Sequence, residues 1–221
     1  MIMKPNYDLI IFDLDGTLTN SEPGITSGVK YALEKMGQPV PDISILRKFI
    51  GPPQWESFEK YCGLTQEQTS QAVEYYREIY NKTGAFENKP YPGMLDFLEE
   101  LRANGATLAV ATTKPAKITY RVLDYFDMTK YFAHISGPDD SERNGDKSIL
   151  INSCLNACHV EPTRAVMIGD TVYDTRGAKG AGTNFIGVLY GFGTKEDMQA
   201  QGGEVFARDI DELRSLLLKD S

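Results

Sequence analysis

Runs rich in Ile, Val, Leu and Phe stand at residues 8–12, 107–111, 165–168 and 184–189, each of strand length and apolar at nearly every position. A strand that is apolar throughout, rather than at alternate residues, is buried on both faces, as in a parallel sheet covered by helices. A weaker fifth run spans 132–136 ahead of a polar loop at 137–146, and a short sixth spans 205–207. Between the runs the apolar spacing turns helical: residues 94–103 with Leu95, Leu98 and Leu101 in register, then 116–126, 147–158 and 209–218. Strand and helix alternate, which predicts an α/β protein with a doubly wound parallel sheet, a Rossmann-like core.

The alternation breaks between Thr19 and Lys89. Ile25, Val29, Ala32, Leu33 and Met36 fall on one helical face there, and Ala72, Val73, Tyr76, Ile79 and Tyr80 on another. An all-helical domain is therefore expected at residues 20–85, inserted into a core made of residues 1–19 and 86–221. It ends at Thr83-Gly84 and the turn Lys89-Pro90-Tyr91-Pro92-Gly93.

Composition narrows the functional classes. The 221 residues hold 23 Lys and Arg against 31 Asp and Glu, a net charge of −8 that repels nucleic-acid polymers and anionic membrane surfaces. No apolar stretch approaches the roughly 20 residues of a membrane span, and Met1 to Tyr7 has no basic segment followed by an apolar run, so a cytoplasmic protein is expected. Cys62, Cys154 and Cys158 are an odd set without a close pair, which disfavours a disulfide framework. Cys154, Cys158 and His159 lack a second ligand pair for a tetrahedral metal site.

Chemistry gathers where the strands end. Asp13-Leu14-Asp15-Gly16-Thr17 follows the first strand directly, so both carboxylates emerge at its carboxyl end, where open α/β sheets bind ligands. Adjacent carboxylates repel unless a cation joins them, and Gly16 permits a sharp turn with exposed N–H groups. Gly169-Asp170 closes a later strand and Asp174 lies one helical turn on, where either acid can also serve as a helix cap. If the two strands are neighbours, Asp170 joins Asp13 and Asp15 in an oxygen-rich site suited to Mg2+. Thr112 and Thr113, with Lys114 after them, offer a hydroxyl and free amides to an anion. Lys147 opens a helix, a poor place for a cation unless it serves a group outside that helix.

This order of motifs resembles the haloacid dehalogenase superfamily, matched here by Asp13-x-Asp15-Gly16-Thr17, Thr112, Lys147 and Gly169-Asp170-x-x-x-Asp174. The insert is similar to that superfamily's cap of the first type. Ala111-Thr112-Thr113-Lys114-Pro115, Ile50-Gly51-Pro52-Pro53 and Gly187-Val188-Leu189-Tyr190-Gly191 resemble the phosphoglycolate phosphatase-like branch. The resemblance implies a Mg2+-dependent phosphatase acting on a small phosphomonoester. In it Asp13 is the nucleophile that forms a phosphoaspartate and Asp15 the acid and base. Gly16, Thr112, Thr113 and Lys147 bind the phosphate. Mg2+ is held by Asp13, the Asp15 carbonyl and Asp170, supported by Gly169 and by Asp174, which orients Lys147 or a water. In the insert, Arg47, Lys48, Gly51 and Pro52 are the candidates for contacting the leaving group, although Gly51-Pro52-Pro53 reads equally well as helix punctuation.

Other readings compete. No Gly-Lys phosphate loop and no G-x-S-x-G elbow occurs in the chain. Asp15 favours phosphorus chemistry over carbon–halogen cleavage within the resembling superfamily. A 5'-nucleotidase, a sugar-phosphate phosphatase or a phosphomutase of the same fold remain alternatives. So do a receiver-like module, which would be shorter and lack the insert, and a non-catalytic phosphate-binding regulator with this scaffold but no hydrolysis. A monomer or a homodimer is expected.

Overall fold

The computed structural model describes residues 3–139 and 146–220, so most of the loop expected at 137–146 lies outside the described residues. In chain order the strands are β1 (Met3–Pro5), β2 (Leu9–Phe12), β3 (Thr19–Asn20), β4 (Lys89–Pro90), β5 (Thr107–Ala111), β6 (His134–Ser136), β7 (Ala165–Gly169), β8 (Asn184–Val188), β9 (Val205–Ala207) and β10 (Leu218–Asp220). The helices are α1 (Glu22–Lys35), α2 (Ile43–Leu46), α3 (Gln54–Cys62), α4 (Gln66–Tyr80), α5 (Met94–Ala103), α6 (Ala116–Tyr125), α7 (Lys147–Cys158), α8 (Val172–Ala181), α9 (Lys195–Ala200) and α10 (Ile210–Leu217).

Six strands form one parallel sheet in the order β6-β5-β2-β7-β8-β9. In β2 the side chains alternate between two apolar layers. Ile10 and Phe12 pack with Phe97, Leu98 and Leu101 of α5, Val122 of α6 and Leu213 of α10. Leu9 and Ile11 pack on the other face with Leu150 and Ile151 of α7 and Ala178 of α8. The chain steps outward from β2 to β5 and β6, then returns to the far side of β2 for β7, β8 and β9. That reversal puts the topological switch point between β2 and β7, where Phe12 is level with Ile168.

The helical insert lies between two linkers that pair with each other, Thr19 with Pro90 and Asn20 with Lys89. Within it, Ile25, Val29, Ala32 and Leu33 of α1 and Ala72, Val73, Tyr76 and Tyr80 of α4 join one apolar cluster, continuous with the α5 side of the sheet. Helix α4 begins in a capping box, in which Gln68 N donates to Thr65 Oγ1 at 3.3 Å and Thr65 N to Gln68 Oε1 at 3.0 Å. Phe58 of α3 meets Phe49 edge-on at 5.0 Å.

Some details differ from the sequence reading. On α5 the buried stripe is Met94, Phe97, Leu98 and Leu101, while Leu95 is 38% exposed, because a 100° step per residue carries it off the face shared by 94, 98 and 101. The β3/β4 pair at the ends of the insert and the β1/β10 ribbon that ties the two chain ends together are too short to leave a periodic signal.

The insert's entry and exit also meet at Gly24. Its N–H donates to Glu87 O at 3.1 Å, and a methyl group on Gly24 would stand 1.8 Å from the Gly84 carbonyl oxygen. Gly24→Ala is expected to cost about 1–3 kcal/mol, the usual penalty of overpacking, seen as a lower urea midpoint. A wild-type midpoint would contradict the contact.

Candidate active site

Three strand ends converge at the switch point. Asp13 leaves β2 and its N–H donates to Ile168 O on β7 at 2.9 Å, while Thr112 leaves β5 and Asp170 leaves β7. Asp13, Asp170 and Asp174 are buried, and each brings one carboxylate oxygen within 4.8 Å of the others. Neighbouring strands thus gather acids that lie far apart in the chain.

Lys147, buried at the start of α7, fills the gap between two of them. Its Nζ lies 2.8 Å from Asp13 Oδ1 and also pairs with Asp174 Oδ1. Both oxygens sit at ion-pair distance but outside hydrogen-bond geometry and accept no hydrogen bond. Asp174 serves two ends at once. Its Oδ2 accepts from Thr171 N and Thr171 Oγ1, each at 2.9 Å, closing the capping box of α8, while Oδ1 faces Lys147. Asp174 thus caps α8 with one oxygen and faces Lys147 with the other.

Asp170 is no cap. Its Oδ2 accepts from Phe192 N at 2.7 Å and its Oδ1 from Thr17 Oγ1 at 3.3 Å. Two loops close tightly around it: a side-chain carbon on Gly16 would stand 2.2 Å, and one on Gly191 2.3 Å, from Asp170 Oδ2. Gly16 is also held at φ +85°, where side chains are strained.

Electrostatics follow from burial. Removal from water pushes the Asp13 carboxyl up to about 7, against the pull of Lys147. Burial, with Asp174 and Asp13 beside it, raises Asp170 well above the carboxylate range. Burial opposes the Lys147 charge, yet Asp13 and Asp174 more than offset this and raise its ammonium above the ordinary lysine value. With three carboxyl groups against one ammonium, the cluster holds more acid than Lys147 can balance, and the raised Asp13 and Asp170 carboxyls show how strongly full ionisation, with its excess of negative charge, calls for a further cation. An all-oxygen donor set with that excess fits a hard divalent cation such as Mg2+.

Asp15 turns elsewhere. Its carboxylate oxygens lie 2.8 and 2.7 Å from Lys114 Nζ, so it can join the acids of the cluster only through its main-chain carbonyl. Lys114 itself was left without a role by the sequence, where nothing distinguishes a buried paired lysine from an exposed one.

The anion-binding candidates divide. Thr112 Oγ1 accepts from Lys114 N at 3.3 Å and keeps its own hydrogen to donate. Thr113 Oγ1 donates to Gly51 O of the insert at 2.6 Å, which leaves its amide for an anion. The Gly16 N–H closes the turn onto Thr19 O at 2.8 Å and is itself engaged, so any part Gly16 plays in binding phosphate comes through the turn it makes. Among the described residues, the N–H groups of Leu14, Asp15 and Thr113 donate to no protein acceptor, which makes them the available cradle.

A cleft of about 730 Å³, open mouth included, runs between insert and core beside Asp15, Thr113 and Lys114. Gly51 and Pro52 line it, together with Trp55, Arg77 and Asn81. Arg47 and Lys48 do not, contrary to expectation. They border a separate groove, where Arg47 Nε pairs with Glu22 Oε1 at 2.8 Å and Lys48 Nζ lies 5.8 Å from the centre of the Tyr61 ring. Arg77, which no motif in the sequence marks, reaches the cleft with its guanidinium 5.8 Å from the centre of the Trp55 ring.

Comparison with known proteins gives this arrangement relatives. A profile of the haloacid dehalogenase-like hydrolases matches residues 10–188. The chain is 36% identical to a 5'-nucleotidase of Pseudomonas aeruginosa, over 96% of each chain. It is 35% identical to the tyrosine-protein kinase PtkA of Mycobacterium tuberculosis, covering 95% of this chain and 72% of that one. It is 30% identical to a phosphoglycolate phosphatase of Vibrio vulnificus, covering 95% and 96%. Among solved structures it is similar to a predicted phosphatase from Clostridium acetobutylicum, with a TM-score of 0.91 at 38% identity and coverage of 95% and 97%.

Removing the ammonium tests the charge balance. Lys147→Met leaves Asp13 and Asp174 facing each other without a counter-charge and is expected to cost about 3–5 kcal/mol in urea unfolding with EDTA present. Wild-type stability of that variant would contradict the ion-pair geometry.

Proposed function

The chain belongs to the haloacid dehalogenase-like hydrolases, and from that premise we propose that it hydrolyses a small phosphomonoester through a phosphoaspartyl intermediate on Asp13, with Mg2+ as its metal. The observation that carries the reading is Asp13 itself, a buried carboxylate at the switch point, paired with Lys147 and bordered by unengaged amides.

Asp13 attacks phosphorus in line with the leaving oxygen; a bond forms from Asp13 to phosphorus as the ester P–O bond breaks. The electron pair stays on the leaving oxygen, which takes a proton from Asp15. Asp15 then removes a proton from the water that attacks the phosphoaspartate, which releases phosphate and restores Asp13. Lys147, the Thr112 hydroxyl and the Leu14, Asp15 and Thr113 amides hold the equatorial oxygens as their charge redistributes. When bound, Mg2+ supplies positive charge that keeps Asp13 ionised and offsets the phosphate; Asp13, the Asp15 carbonyl and Asp170 would hold it. The helical insert acts as a cap that excludes water from the intermediate.

Two substrate readings remain distinct. The motif wording and the Vibrio relative favour a phosphoglycolate phosphatase-like activity. The cleft, bordered by the rings of Trp55, Tyr76 and Tyr80, offers aromatic faces to a nucleoside leaving group, a reading that the name of the Pseudomonas relative also favours. Phosphate release from phosphoglycolate, nucleoside monophosphates and sugar phosphates, with Mg2+ supplied, ranks them, and isomer formation from hexose phosphates would indicate a mutase.

Asp13→Asn is expected to abolish turnover with its melting temperature within a few degrees of wild type, and EDTA to abolish turnover reversibly. Residual activity in purified Asp13→Asn protein removes the mechanism. At the cap, Arg77→Ala should raise KM for the preferred ester about tenfold, the loss of one charge-assisted contact, whereas Arg47→Ala should leave it within about twofold because Arg47 already pairs with Glu22. The opposite ranking returns specificity to Arg47.

A further inference from the structure

Lys114 Nζ is gripped by three oxygens. Two belong to Asp15, at 2.8 and 2.7 Å; the third is the hydroxyl of Tyr80, at 2.6 Å. Asp15 and Lys114 stand on core loops, whereas Tyr80 is the last residue of α4 in the insert. All three are buried. A single hydroxyl from the insert thus completes the hydrogen bonding of a core lysine whose other partners are both oxygens of one carboxylate.

Each end of this link is fixed. The Lys114 main chain is pinned on both sides, its N–H donating to Thr112 Oγ1 at 3.3 Å and its carbonyl accepting from Thr119 Oγ1 at 3.2 Å. The Tyr80 ring stacks on Tyr76 at 4.9 Å with 15° between planes, and Lys114 Nζ lies 4.9 Å from the Tyr80 ring centre. The flexible part is the lysine stem. Without the hydroxyl its ammonium keeps only the Asp15 oxygens and gains freedom to swing with them.

We propose that Tyr80 is a positioning residue for the proton transfer, its hydroxyl fixing the Asp15 carboxylate through Lys114 while the insert lies against the core. The proposal rests on the phosphatase reading with Asp15 as the acid. Its consequence is selective. An ester whose leaving alcohol is a weak acid needs the Asp15 proton as the P–O bond breaks, whereas 4-nitrophenolate departs without one. A Tyr80 that merely supported the fold or the closed insert would affect both esters alike.

The test compares Tyr80→Phe with wild type, full chains with Mg2+, on benzyl phosphate and 4-nitrophenyl phosphate, two ring-bearing esters of similar size. The expected result is a fall in kcat/KM, which reports the step that breaks the ester bond and not the later hydrolysis common to both, of about tenfold on benzyl phosphate, as for a misplaced catalytic group, against less than about twofold on the nitrophenyl ester. Lys114→Met should show the same skew, and serves as the readout if Tyr80→Phe fails to fold. Equal losses of kcat/KM on both esters, a larger loss on the nitrophenyl ester, or no loss on either would overturn the positioning role. Wild-type protein inactive on both esters would overturn the phosphatase reading itself, and the proposal with it, before any variant is compared.

Discussion

Three carboxylates buried against one ammonium at the switch point of a parallel sheet are the constraint on which the rest of the structure depends. Asp13, Asp170 and Asp174 stand within reach of one another and Lys147 offsets only part of their charge. Burying uncompensated charge is expensive, and proteins tolerate it where a ligand or metal restores the balance. The surroundings of the acids are built to keep them there. Phe192 N and Thr17 Oγ1 fix Asp170, Thr171 fixes one oxygen of Asp174, and the loops at Gly16 and Gly191 close too tightly to admit a side chain. Cost on the folding side and perturbed carboxyls on the chemical side have one origin, the removal of acids from water at strand ends.

The insert is tied to this centre at several points rather than resting on it. Thr113 Oγ1 donates to Gly51 O, Lys114 Nζ to the Tyr80 hydroxyl, and Arg121 Nη1 to Asn81 O at 2.8 Å, while Tyr173 Oη donates to Glu56 Oε1 at 2.5 Å. Two of the four join loops that carry proposed chemistry, and the entry linker of the insert begins directly after the Asp13 loop with the exit linker paired to it. Opening the insert therefore breaks polar contacts of the site itself, so substrate entry and the arrangement of Asp15 are coupled by construction.

The sheet was legible because buried parallel strands leave continuous apolar runs; β5 and β9 match their expected bounds, and the other four sheet strands differ by one or two residues at their ends. The acids were legible for the same reason, since a strand end is where sequence and spatial position coincide. What the sequence could not reveal is side-chain direction. Asp13 and Asp15 are two residues apart, yet one faces Lys147 and the other Lys114, because the chain turns at Gly16 and the strand geometry ends at Phe12. Arg47 and Arg77 are equally cationic in the sequence, and only the packing of α1 and α4 decides that one meets Glu22 and the other the cleft.

The central claim is a charge claim, and calorimetric titration of Mg2+ into the metal-free chain addresses it most directly, comparing wild type with Asp170→Asn. The account predicts one ion bound per wild-type chain and an affinity reduced at least about tenfold when one carboxylate of the cluster is neutralised. Equal affinity in the two proteins would contradict it.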